Sequence, residues 1–115
     1  MSIINKDQFL QNFQYFDKEV VLEIINIFID EYPTRMQTIK KNIDELDFEQ
    51  LRFNAHSIKG VIANFVAPEP QELARSMEMK GTHKEDEGLE NMYIALKEKT
   101  DAMVEELKEL KKNFE

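Results

Sequence analysis

Apolar residues recur every three or four positions along almost the whole chain, which is the spacing of one face of an α-helix. No segment alternates apolar and polar residues for long enough to predict a β-strand. The clearest apolar stripe consists of Phe48, Leu51, Ala55, Ile58, Ile62 and Phe65, which are spaced alternately by three and four residues. The pattern therefore predicts an all-α protein.

Capping residues, prolines and glycines mark the ends of the predicted helices. Asp17 and Asp47 are candidate N-caps, Pro68 and Pro70 end the helix with the clearest stripe, and Gly81 is a candidate helix stop. At Pro33 we predict a kink or the start of a new helix, because a proline ring cannot join the helical hydrogen-bond ladder. The predicted helices cover about residues 7–16, 17–32, 34–46, 47–65, 69–81 and 89–113, with a polar loop at 82–88.

Short connections between amphipathic helices favour an antiparallel four-helix bundle. We expect one domain over residues 1–115, with short extra helices at the N-terminal end, because 115 residues suffice for one domain and not for two. An α-solenoid is the alternative architecture, but the chain has no internal repeat of solenoid length.

Composition and charge exclude several classes of function. The chain has 23 acidic and 15 basic residues, a net charge of −8, which argues against a nucleic-acid binder that depends on bulk positive charge. It has no cysteine, which excludes disulfides, a thiol nucleophile and a cysteine-based zinc site. Without a membrane-length apolar run or a signal peptide in the sequence, we expect a soluble cytoplasmic protein that binds no membrane.

His56 is the main candidate for chemistry. At about 100° per residue it lies roughly 135° from the centre of the apolar stripe, so it should project into solvent from the middle of its helix. Gly60 follows one turn later, almost opposite the stripe, although a glycine within a helix costs roughly 1 kcal/mol relative to alanine. Since an exposed site has no packing reason for glycine, the residue indicates that something approaches the helix closely there. Lys59 lies within reach of the imidazole, whereas His83 falls in the polar loop and should simply be solvated.

The local charge is compatible with an incoming anion. No acidic residue occurs from Gln50 to Pro68, where an even distribution would place about four, and the two bases there are Arg52 and Lys59. Such a segment would accept a phosphoryl group without electrostatic repulsion. Helical geometry alone favours the alternative that His56 is an ordinary surface histidine, Gly60 a tolerated defect and Lys59 a solvated charge.

The segment Ala55-His56-Ser57-Ile58-Lys59-Gly60 resembles the Ala-His-x-Leu-Lys-Gly signature of histidine phosphotransfer (HPt) domains. The length of the chain, the helix order and the acidic cap before the histidine helix are also similar to that family. The resemblance covers nearly the whole chain. The chain differs from the family at Val66, where many members have glycine. The resemblance therefore does not predict where the histidine helix ends or how the next helix is tilted.

The resemblance implies specific roles for five residues. His56 would accept the phosphoryl group, Lys59 and Arg52 would contact the phosphoryl group or the partner, and Gly60 would leave room for that partner. Glu78 would accept a hydrogen bond from Nδ1 of His56 and so present Nε2 as the nucleophile. A plain surface acid is the alternative for Glu78.

The function implied by the resemblance is that of a phosphocarrier in a two-component phosphorelay. Its partners would be receiver domains of response regulators and hybrid sensor kinases. The chain itself would need no cofactor and have no autonomous kinase activity, because Mg²⁺ and the acidic pocket belong to the receiver. The absence of a glycine-rich nucleotide loop agrees with this expectation. A monomer is usual in the family.

Three other classes remain as alternatives. A non-phosphorylated helical adaptor would keep the fold without the chemistry. A dimerising histidine-kinase segment typically has glutamate after the histidine and proline five residues on, where this chain has Ser57 and Val61. A metal-binding bundle would need repeated Glu-x-x-His pairs, and only two histidines are present.

Overall fold

A computed structural model describes residues 2–115 and contains five α-helices and a final 3₁₀ turn. The helices are α1 Lys6–Asn12, α2 Lys18–Asp44, α3 Phe48–Ala63, α4 Pro68–His83 and α5 Leu89–Leu110, and the 3₁₀ turn is Lys111–Phe114. The described residues contain no β-strand, so the prediction of an all-α protein is confirmed.

The four long helices form an antiparallel bundle, as predicted. Helix α2 contacts α3 and α5, and α4 contacts the same two helices, which closes a ring of four. Arg35 of α2 lies opposite Ser57 of α3, whereas Asn42, further along α2, lies opposite the earlier Asn54, so the two helices run in opposite directions. The single short helix α1 precedes this bundle.

The predicted apolar stripe of α3 faces the core. Leu51, Ala55, Ile58, Ile62 and Phe65 are each at most 1% exposed. Burial of one large apolar side chain contributes about 1.5 to 3 kcal/mol, so this stripe holds α3 in one rotational position about its own axis. That position decides which α3 residues face solvent.

Asp47 fixes the start of α3. Its side chain accepts a hydrogen bond from the backbone N–H of Gln50 at 3.2 Å, as predicted for an N-cap. Asp17 also occupies the N-cap position of its helix, α2, but its side chain makes no capping hydrogen bond.

Helix α2 continues through Pro33, so of the two alternatives predicted there, the start of a new helix is wrong. Proline within a helix costs about 3 kcal/mol. Tyr32 and Met36 on either side of Pro33 both pack into the core, and Pro33 itself is exposed. Apolar burial along the whole buried face of α2 therefore outweighs the local cost of the ring.

Gly81 does not end its helix, contrary to the prediction. Helix α4 continues to His83, and Lys84 takes the left-handed C-cap conformation with φ 55° and ψ 45°. Gly81 is instead buried against α3, where a Cβ atom would lie 2.8 Å from the backbone N of Arg52 and 3.0 Å from the carbonyl O of Phe48. The glycine is needed because the two helix backbones approach each other closely.

Val66, the residue at which the chain departs from the resemblance to HPt domains, has a φ of +56°. This left-handed conformation is strained for a β-branched residue. The residue lies in the turn between the end of α3 at Ala63 and the start of α4 at Pro68. The left-handed backbone explains a preference for glycine at this position, and this chain adopts the same conformation with valine.

Residues Ser2–Asn5 form an N-terminal strap across the bundle. Ile3 and Ile4 are buried, and Glu106 of α5 accepts hydrogen bonds from their backbone N–H groups at 2.7 and 2.9 Å. The Ser2 hydroxyl donates to the same carboxylate at 2.9 Å. Partial burial raises the pKa of Glu106, but these hydrogen bonds outweigh it and the net pKa lies below the usual value.

Tyr32 connects α2 to α5 through a polar cluster. Its hydroxyl donates to the Asp101 carboxylate and lies 3.1 Å from Oγ1 of the buried Thr100. Burial, and then the bond to Asp101, raise the pKa of Tyr32. Burial also raises the pKa of Asp101, but hydrogen bonds from Tyr32 and Lys97 more than offset this and lower it overall.

Candidate functional site

His56 lies on the exposed face of α3, where the helical periodicity places it. Its side chain is 66% exposed, although the apolar stripe of the same helix is fully buried. An imidazole in this position is accessible to another protein and contributes little to packing.

Glu78 of α4 reaches across to the imidazole. One carboxylate oxygen, Oε2, lies 2.9 Å from Nδ1 of His56, and the Glu78 side chain is 20% exposed. The antiparallel packing of α3 and α4 brings these two residues together from positions that are 22 residues apart in sequence.

The protonation state of Glu78 determines the direction of this hydrogen bond. Partial burial raises the pKa of Glu78, but hydrogen bonds from Lys59 and His56 outweigh it and hold the pKa below its usual value. Glu78 is therefore ionised at neutral pH, and a carboxylate can only accept. Nδ1 of His56 must donate, so in the neutral ring Nε2 keeps the free electron pair.

Lys59 is the second partner of Glu78. Its Nζ lies 2.7 Å from Oε1, the other carboxylate oxygen, and its side chain is 26% exposed. Sequence reasoning placed Lys59 beside the imidazole but missed this ion pair, because the pairing depends on how α4 packs on α3. The Glu78 carboxylate is thus held at both oxygens, one by Lys59 and one by His56.

Gly60 and Arg52 flank His56 along α3. A Cβ atom built at Gly60 would meet no other atom within 4 Å, so the surface beside the imidazole is open. Arg52, one turn before His56, is exposed, and its guanidinium makes no ion pair or hydrogen bond with residues 2–115. Its positive charge is available to a molecule approaching His56.

Arg35 is a site neighbour that sequence reasoning missed. It extends from α2 and donates a hydrogen bond at 2.9 Å to the hydroxyl of Ser57, the residue after His56. It also pairs with Glu31 at 3.3 Å. No sequence signal identifies this contact, since it joins residues of different helices with no recognisable spacing.

Apolar groups lie exposed on the same side of the bundle. Phe53, one turn before His56, is 64% exposed. A groove of about 280 Å³, here called the α2–α3 groove, runs beside this face between the two helices. Its lining includes Ile24, Ile27, Arg35, Val61 and Asn64. Exposed apolar side chains beside an accessible histidine are typical of a protein interaction surface.

The second histidine and the acidic side chains do not form a further site among the described residues. His83 lies exposed in the last turn of α4, and residues 2–115 contain no group of three or more His, Cys, Asp or Glu side chains that could hold a metal ion. Within the same range, no helix is long and apolar enough to span a bilayer.

Comparison with protein-family models identifies the family to which the chain belongs. The family model described as "Hpt domain" matches residues 23–111, from the first turns of α2 to the 3₁₀ turn. This match covers most of the chain, and the protein belongs to the Hpt domain family. Neither the comparison with curated proteins nor the comparison with solved structures found a match.

Proposed function

We propose that this protein carries a phosphoryl group on Nε2 of His56 between aspartates of receiver domains. Membership of the Hpt family makes it a phosphotransfer-type domain of two-component signalling, in a class of phosphocarriers rather than kinases. The observation that carries the specific proposal is the exposed His56 ring, whose Nδ1 is held by Glu78 on a face that Gly60 leaves open.

The chemistry follows from the hydrogen bond at Nδ1. The electron pair of Nε2 attacks the phosphorus of an aspartyl phosphate in the receiver, a nitrogen–phosphorus bond forms, and the phosphorus–oxygen bond to the aspartate breaks. The bonding electrons leave with the aspartate carboxylate. The imidazole ring gains positive charge while Nδ1 keeps its proton, and the ionised Glu78 stabilises that charge.

Transfer to a second receiver is the same step in reverse. An aspartate carboxylate of that receiver attacks the phosphorus, and the electron pair of the breaking bond returns to Nε2. The receiver domain supplies Mg²⁺ and its own acidic pocket, so we assign no cofactor to this chain.

The positive residues near His56 act on the phosphoryl anion. Lys59 keeps Glu78 in position and places a positive charge next to the ring, and Arg52, which has no ion-pair partner among residues 2–115, lies one turn away. The segment from Gln50 to Pro68 contains no acidic residue that would repel the incoming group. Charge neutralisation of this kind is what phosphoryl transfer requires of its surroundings.

The docking surface for the receiver is the face that contains His56. Gly60 lets the receiver approach closely, while Phe53 and the α2–α3 groove offer apolar area for binding. We propose that a monomer of this chain binds one receiver at a time, because both receivers must reach the same histidine. We also propose that this transfer takes place in the cytoplasm.

Incubation with a phosphorylated receiver tests this function. We expect the protein to gain a phosphate that is labile in acid and stable in base, as a phosphoramidate is. The His56→Gln variant should fold normally and gain none, since the side chain is exposed and dispensable for packing. His83→Gln is the matched control and should be labelled like the parent.

Three results would contradict the proposal. Labelling of His56→Gln, or loss of labelling in His83→Gln, would mean that the acceptor is misassigned. If the folded parent protein binds receivers but is labelled by none of those in its host, it is a helical adaptor and not a phosphocarrier.

A further inference from the structure

The contact between α3 and α4 at Gly81 is unusually close. A Cβ atom there would lie 2.8 Å from the backbone N of Arg52 and 3.0 Å from both the Cα of Arg52 and the carbonyl O of Phe48. These are backbone atoms within a helix, so they cannot move aside as the end of a flexible side chain can. Any side chain at this position must therefore separate the two helices.

This contact adjoins the histidine site. Gly81 lies three residues after Glu78 on α4, and Arg52 lies four residues before His56 on α3, each about one helical turn of 5.4 Å away. Because the helices are antiparallel, the Gly81–Arg52 contact and the Glu78–His56 hydrogen bond are neighbouring points of one interface. The spacing at the first contact constrains the distance at the second.

We infer that Gly81 is a positioning residue, whose missing side chain sets the helix spacing that lets Glu78 reach Nδ1 of His56. An added Cβ needs several tenths of an ångström to reach an ordinary contact of 3.4 Å or more. The same displacement would stretch the 2.9 Å bond between Glu78 and His56 towards the limit at which a hydrogen bond is lost.

The first test measures the imidazole directly and needs no receiver. In ¹⁵N-labelled parent protein, NMR should show neutral His56 mainly with its proton on Nδ1. In Gly81→Ala we expect a mixture of the two tautomers, because the bond that selects Nδ1–H is weakened. Gly60→Ala is the matched control for these spectra, since its new Cβ meets no atom within 4 Å and should leave the tautomer unchanged.

A second variant tests the reach of the carboxylate without changing the contact at Gly81. Glu78→Asp shortens the side chain by one methylene while Gly81 stays in place, and it should produce the same shift towards mixed tautomers. A parent-like spectrum in Gly81→Ala or in Glu78→Asp overturns the inference, because helix spacing would then not control the bond. A Gly81→Ala protein that does not fold also overturns it, because the glycine would then serve the fold and not the site.

The second test uses transfer rates and rests on the proposed function. Gly81→Ala and Glu78→Ala should each slow transfer from a phosphorylated receiver by about 10 to 150-fold, as loss of a charged hydrogen bond implies. The double variant should be no slower than Glu78→Ala alone, because Gly81 acts through Glu78. If the rate losses of the two single variants multiply in the double variant, Gly81 does not act through Glu78 and the inference is refuted. Absence of labelling in the parent would refute the phosphocarrier function alone, since the tautomer spectra still test the role of Gly81.

Discussion

Replacement of Glu78 by glutamine removes the negative charge next to His56 and leaves one acceptor oxygen in place of the two that bond His56 and Lys59. The amide oxygen of glutamine can still accept the hydrogen bond from Nδ1, which is 2.9 Å long in the parent protein. The negative charge that stabilises the ring during phosphoryl transfer is lost. Glu78→Gln therefore separates the electrostatic contribution of the residue from its contribution to geometry.

The expected size of the effect follows from the surroundings of the carboxylate. A hydrogen bond to a charged group contributes about 1.5 to 3 kcal/mol and a neutral one about 0.5 to 1.5, so the charge itself accounts for roughly 1 to 1.5 kcal/mol. The Glu78 side chain is 20% exposed and shares its charge with Lys59 at 2.7 Å, which places the effect at the lower end. About 1 kcal/mol corresponds to transfer that is roughly fivefold slower.

The assay is the initial rate of transfer from one phosphorylated receiver to excess protein. Glu72→Gln is the matched control, because Glu72 is on the same helix, is 68% exposed and pairs only loosely with Arg75 at 3.9 Å. We expect the control to transfer at the parent rate. If Glu78→Gln is as fast as the parent, or if both variants are equally slow, the carboxylate does not stabilise charge on His56.

Three further outcomes are expected. Gly60→Glu should abolish most transfer, because it adds bulk and negative charge beside His56, and it should not lower the melting temperature, because it removes a helical glycine. A large drop in melting temperature would contradict this. Val66→Gly should raise the free energy of unfolding by about 1 kcal/mol by relieving the left-handed strain, and a loss measured in urea would refute that reasoning. The free energy of unfolding should fall below about pH 4, where the lowered pKa of Asp101 is approached and its carboxylate is protonated. It should also fall above about pH 10, because tyrosine begins to ionise in the unfolded chain while the raised pKa keeps Tyr32 protonated in the fold. Denaturation across pH checks this, and Tyr32→Phe should weaken the alkaline loss.

Much of the site could be predicted because it depends on one helix. The apolar stripe of α3 fixes the rotation of the helix, and the exposed positions of His56 and Gly60 follow from their places relative to it. The cap at Asp47 is likewise a local feature. The pairing of Glu78 with the imidazole was expected from family resemblance, and no spacing within one helix would reveal it.

The remaining features depend on contacts between helices. Gly81 has the local character of a helix stop, and it is the packing against Arg52 that explains the glycine. At Pro33 the free-energy cost of a proline within a helix is offset by apolar residues on both sides of it that pack into the core. The ion pair between Lys59 and Glu78 has the same origin, since it requires the antiparallel arrangement of α3 and α4.

The N-terminal strap has a consequence for the order of events during synthesis. Ile4 binds Glu106 across 102 residues of chain, so the strap cannot dock until α5 has been made. At a translation rate of about 5 to 20 residues per second, this delay lasts roughly 5 to 20 seconds. Helix α1 has only 7 residues and is too short to be stable alone. The strap is therefore made before most of the bundle but docks only after α5 is complete, and until then Ile3 and Ile4 are exposed to chaperones and proteases.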